Sequence, residues 1–230
     1  MTADQTRYLR VGGAAGIIAM ALLLVGFFLP GSPPKADDSL QAVTSYLVDK
    51  RGSILAGDFL IGLGFALFVV WLSALRGRLE AGERDRALPR VAFAGGVIAA
   101  ALTFVGAALS AGTVFEAAGL GDQTLNRALF DMSTDMFTIG GFAIALFFGA
   151  ASLSARRTGA LPGWASTTGL AVAALNLVST VAIFVSSGFF ASGGAFGFIA
   201  FLPSVAWIIA VSVVLLRSGK ASPAAAPGTG

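Results

Sequence analysis

Of 230 residues, 56% are hydrophobic and only 12% charged, with a mean hydropathy of +0.85. Soluble domains carry about 25% charged residues, so a water-solvated fold is excluded and one membrane domain accounts for the chain. The absence of Cys and His argues against disulfides, thiolate nucleophiles, Cys-ligated zinc and the usual haem ligands, and no cofactor or metal is expected.

The N-terminal residues 1–10 are expected to be cytoplasmic, and 11–216 to form a six-span domain. Span 1 covers Val11 to Leu29, introduced by Arg7 and Arg10 and closed by Pro30. Its apolar run of about 19 residues exceeds a signal-peptide core, so a retained helix is expected. A polar loop with Pro33, Pro34, Asp37 and Asp38 follows. Ser39 to Lys50 then sets Leu40, Val43 and Tyr46 (with Leu47) at helical spacing, which predicts a short amphipathic helix on the membrane surface.

Span 2 covers Ile54 to Leu75 and carries Asp58 in its first two turns. An Arg-rich loop from Arg76 to Arg90 leads to span 3, Val91 to about Ala111, with an extension through Glu116 to Ala118. Past a loop containing Gly119, Gly121 and Asp122, span 4 occupies Leu129 to Arg157, opening on Asp131 and Asp135 and stopping at Arg156 and Arg157. Span 5 runs from Trp164 to Ser187 with Asn176 near its middle, and span 6 from about Phe196 to Leu216. Pro203 is expected to kink span 6. The Ala/Pro/Gly/Ser-rich residues 217–230 read as a disordered cytoplasmic tail.

The basic residues orient the chain. Arg7, Arg10, the five loop arginines, Arg156, Arg157, Arg217 and Lys220 make eleven on one side, against four (Lys35, Lys50, Arg51 and Arg127) on the other. The positive-inside rule puts both termini in the cytoplasm, as an even span count requires. The pI near 9.8 therefore reflects membrane orientation, and no nucleic-acid partner is expected.

The sequence also repeats. Asp58, Gly64, Phe65 and Ala66 align without gaps with Asp135, Gly141, Phe142 and Ala143, and Gly96 and Leu102 align with Gly169 and Leu175. Spans 2–3 and 4–5 thus read as parallel copies of one hairpin.

Orientation sets Asp58, Glu116, Asp131 and Asp135 toward the outer face. A carboxylate at a helix centre costs roughly 2.5–3.5 kcal/mol on insertion scales, so each needs a hydrated cavity or a partner. One reading is an outward-facing acidic cavity between spans 2, 3 and 4 that binds a small solute, a cation or a proton, with Asp58 and Asp135 converging. The other is interfacial: Asp131 and Asp135 favour the dipole at a helix start, and Arg127 pairs with Asp131 four residues on. Asn176, with Thr103 at the equivalent repeat position, suits either interhelical hydrogen bonding or a solute path. Small residues at four-residue spacing (Gly12 and Gly16, Gly106 and Ser110, Gly141, Ala145 and Gly149) permit close helix approach within the bundle or against another copy.

Catalysis is not expected. The stretch Leu55-Ala56-Gly57-Asp58 lacks the first Gly of the intramembrane aspartyl protease element, all three lysines lie outside the spans, and no phosphate loop or metalloprotease motif occurs.

The stretches LVDKRGSILAGDFLIGLGFALFVVWLSALRGRL, RALFDMSTDMF and RRTGALPGW resemble the six-span integral membrane proteins of high-GC actinobacteria grouped as a domain of unknown function. The resemblance spans about Tyr46 to Leu216. It implies a bacterial plasma-membrane protein and brings no catalytic or binding residues to carry over.

The expected architecture is an all-α six-transmembrane-helix bundle with both termini inside. The expected function is binding or transport of a small solute, cation or proton. The alternative is a non-catalytic accessory subunit that packs against a membrane partner or a second copy. Lipids are expected partners in either case.

Overall fold

The computed structural model describes residues 3–34, 38–82, 85–118, 122–185, 187–191 and 194–218. Loop residues 35–37, 83–84 and 119–121, and the tail from 219 read above as disordered, lie outside the described residues. Among those described, every regular element is helical: α1 (Ala3–Phe28), α2 (Leu40–Asp49), α3 (Arg51–Glu80), α4 (Ala87–Ala118), α5 (Gln123–Thr158), α6 (Gly163–Ser179) and α7 (Ala195–Ser218). A 3-10 stretch, Thr180–Phe184, extends α6. Helices α1, α3, α4, α5 and α7, and α6 taken with its 3-10 extension, are long and apolar enough to cross a bilayer.

Local chemistry sets the boundaries. Ser39 caps α2, its hydroxyl accepting from the Ala42 amide at 3.2 Å, and Asp122 caps α5, accepting from the Thr124 amide at 2.8 Å. Gly159 ends α5 in the left-handed region (φ 67°), its amide donating to the Ala155 carbonyl at 2.9 Å. Arg156 and Arg157 occupy that last turn, where cations favour the helix dipole. At 1.5 Å per residue α5 is about 54 Å long, well beyond a hydrocarbon core of about 30 Å. It contains the whole of span 4 and starts ahead of it, at Gln123. Span 5 ends sooner than expected, with α-geometry giving way after Ser179. Pro203 lies inside α7, which continues through it.

The spans form a closed up-and-down ring. Antiparallel neighbours α1–α3, α3–α4, α4–α5, α5–α6 and α6–α7 follow chain order, and α7 returns to α1. Glycine makes the tight crossings possible. A Cβ on Gly95 would meet the Ala143 carbonyl and the Phe147 amide at 2.9 Å, and one on Gly13 would meet the Ser212 carbonyl at 2.7 Å. Two Trp–Ser–Gly knots fill the interior: Trp71 and Ser212 close over Gly16, while Trp207 and Ser152 close over Gly169. Between them Phe68 stacks on Trp71 (5.4 Å), Phe147 lies tilted on Phe148 (4.7 Å) and Phe148 meets Trp207 edge to face (5.1 Å). At the end holding both termini, the Arg78 Nε donates to the Ala160 carbonyl at 3.1 Å, tying α3 to the α5–α6 turn.

The aligned glycines play unequal parts. Gly96 packs on Leu72 and Gly169 on Ser152, each within its own hairpin, but Gly64 meets Ala19 and Leu23 of α1 whereas Gly141 meets Asn176 and Thr180 of α6.

Candidate functional site

The end of the ring away from the termini is covered by α2, which packs on α3, α4 and α5. Val43 and Leu47, 0% and 2% exposed, seat against Ile54 of α3 and Val114 and Ala117 of α4, with Phe130 of α5 alongside. The amphipathic spacing predicted this helix. Its apolar face is spent on the bundle, while Leu40, expected on that face, is 42% exposed.

Asp58 lies one turn along α3 from Ile54, beneath α2. Its Oδ2 is buried and has no hydrogen-bond partner among the described residues. Ser110 of α4 is its hydroxyl neighbour. Tyr46 of α2 completes the group: its burial first, and the Asp58 charge second, raise the phenol above its ordinary value. Three helices therefore contribute to the surroundings of one carboxylate.

The other acids sit elsewhere. The register across α4 sets Asp58 level with Ser110, and Asp135 level with Gly106, which packs on Ser133, Met136 and Phe137. That is about one helical turn deeper, roughly 5 Å, so it is Asp131 that shares the level of Asp58. Asp135 has Asp131 as its charged neighbour. Asp131 is engaged by the Arg127 Nε at 2.7 and 2.8 Å, the ion pair expected from their spacing. Glu116 is exposed in the last turns of α4. Asn176 is buried between α6 and α7, its Nδ2 donating to the Ser204 Oγ at 2.9 Å and to the Val172 carbonyl at 2.9 Å. This is the interhelical hydrogen bond, remote from Asp58.

Some groups near this end are not legible as site residues in the sequence. Asn126, in the first turns of α5, is 1% exposed, and neither of its amide atoms has a hydrogen-bond partner among the described residues. Ser110 reads as a small packing residue and Tyr46 as one of several apolar positions on α2; only the acid–tyrosine–serine chemistry, once assembled, singles them out. At the end of α6 a recess of about 270 Å³ is lined by Val178, Val181, Val185, Ser187, Phe189 and Phe190. It carries no charged group and stands apart from the carboxylates.

No family model, curated protein or solved structure matches this chain.

Proposed function

We propose that the chain is a multi-pass protein of a bacterial plasma membrane, with both termini cytoplasmic, that binds a proton or a small cation at Asp58 as part of transport. One observation carries this reading: the enclosed, donor-less Oδ2 of Asp58. A carboxylate oxygen in that position is costly as a bare anion and is satisfied by a proton or a metal-sized cation. The Ser110 hydroxyl supplies a further oxygen beside Asp58, the ligand type that hard cations use. Asp131, level with Asp58, and the exposed Glu116 add negative charge at the same end, drawing cations toward it. Asn176 holds α6 to α7 and has no part in the binding. The actinobacterial resemblance is compatible with this assignment.

Four of the small residues are engaged inside the ring and give the accessory-subunit reading no support. Gly12 packs on Ala74, Gly16 on Trp71, Gly106 on α5 and Gly141 on α6.

Thermal melting in nanodiscs at fixed pH, titrated separately with sodium, potassium and magnesium, tests the cation form; dye-reported proton uptake by proteoliposomes tests the proton form. One of these responses is expected in the wild type and should vanish in Asp58→Asn. Retention of every wild-type response in a folded Asp58→Asn protein would sink the assignment.

A further inference from the structure

We infer that α2 is a hinged lid over Asp58, latched by Arg127. The inference deepens the Asp58 reading by naming what controls access to that site, and rests on it for its purpose.

Its geometry stands on three observations. The hinge is one residue: α2 ends at Asp49, α3 begins at Arg51, and Lys50 between them (φ −100°, ψ 8°) leaves the helical conformation without a side-chain cap. The seat is a small apolar patch, Val43 and Leu47 on Ile54, Val114 and Ala117, separate from the aromatic core. The latch is at the far end of α2. Arg127, held by Asp131, donates from Nη1 to the Asp38 carbonyl at 2.8 Å, immediately before the Ser39 cap.

Besides the chain that reaches it from α1, α2 is held at its start by a charge-assisted hydrogen bond and joined at its end through one non-helical residue, so its motion is a pivot at that residue. It pivots about Lys50 and lifts its N-terminal end away from α5. Because Ile54 lies one turn beyond Asp58, that motion uncovers the carboxylate, and Tyr46 leaves with the lid. The polar side of α2, including Gln41, Ser45 and Asp49, is exposed with the lid shut, so lifting it changes the surroundings of few polar groups. The seat is small, Val43 and Leu47 on one side and Ile54, Val114 and Ala117 on the other, consistent with the low-stability elements that cover binding sites.

The chain has no Cys, so single cysteines report access directly. Asp58→Cys and Ser110→Cys would each be reacted with a membrane-impermeant cationic methanethiosulfonate, with Arg127 intact and with Arg127→Gln. Both are expected to react slowly with the latch intact, and Arg127→Gln to speed them by about tenfold or more, the factor one charge-assisted hydrogen bond sets. Glu116→Cys, already exposed, should change by less than about twofold on the same scale. If Asp58→Cys fails to fold, Ser110→Cys carries the test with Asp58 in place. Equal rates with and without the latch would overturn the lid, as would a parallel rise at Glu116→Cys, which would mean general loosening. Labelling does not depend on ion binding, so the two ideas fail separately: latch-dependent access without any cation or proton response leaves the lid and removes the site.

Discussion

Arg127 reaches across 89 residues of sequence to donate to the Asp38 carbonyl at 2.8 Å, while its Nε grips both oxygens of Asp131. The pair thereby does more than neutralise an acid at a helix start. It joins the beginning of α2 to the first turns of α5, and so positions the helix that covers Asp58.

Loss of this link should appear in amide exchange. In Arg127→Ala, the amides of Leu40–Asp49 are expected to exchange on the order of tenfold faster, since exchange follows the local opening free energy. The effect is moderated by solvent, because Asp131 is 45% exposed in its side chain. Amides of α7 should be unchanged. Unaltered exchange across α2 would show that the apolar seat alone holds it.

Tyr46 offers a pH-dependent readout. In a Tyr8→Phe background it is the remaining tyrosine, and ultraviolet titration is expected to give a midpoint above the ordinary value of about 10. Burial is the larger cause and the Asp58 charge the smaller, so Asp58→Asn should lower the midpoint only part of the way. Because the folded value is raised, the neutral phenol stabilises the folded state below the unfolded value, and that contribution is lost as pH rises through the folded one. Alkaline loosening of α2 follows. A midpoint unaffected by Asp58→Asn would separate the two groups.

Helix packing can be tested at two glycines of α4. Gly95→Ala drives a methyl against the α5 backbone, with contacts of 2.9 Å that no side-chain rotation relieves. The expected cost is about 1–3 kcal/mol. Gly112 has open space around it, and there Ala should stabilise by up to about 1 kcal/mol through helix propensity. Equal effects on melting at the two positions would contradict the α4–α5 crossing.

Asn176 and Ser204 should couple. A double-mutant cycle of Asn176→Leu and Ser204→Ala, read by unfolding in lipid, is expected to give about 0.6 kcal/mol, up to roughly 1.7. Ion responses should persist in the Ser204→Ala single mutant, since this pair is structural. Loss of those responses with the fold intact would move Asn176 into the binding path.

Hydrophobic length and capping residues made much of the architecture legible from sequence. Apolar runs marked all six spans, Arg156 and Arg157 marked the end of α5, and Ser39 with Val43 and Leu47 marked α2. The Arg127–Asp131 pair was legible because helical spacing is a local rule. The surroundings of Asp58 were not. Ser110 and Tyr46 come to it from other helices, and nothing local in either segment specifies that meeting. The repeat that aligns Asp135 with Asp58 is a pattern along the chain and carries no register between helices; across α4 the two lie about a turn apart. The recess at the end of α6 was also illegible, because it follows from the early change of Thr180–Phe184 to 3-10 geometry.

The most direct test of the central claim is infrared difference spectroscopy of the carboxyl C=O stretch in lipid, comparing wild type with Asp58→Asn during a pH jump and during cation addition. A proton- or cation-dependent band that is present in the wild type and lost in Asp58→Asn is the predicted result. A spectrum that Asp58→Asn leaves unchanged would contradict a proton or cation site at Asp58.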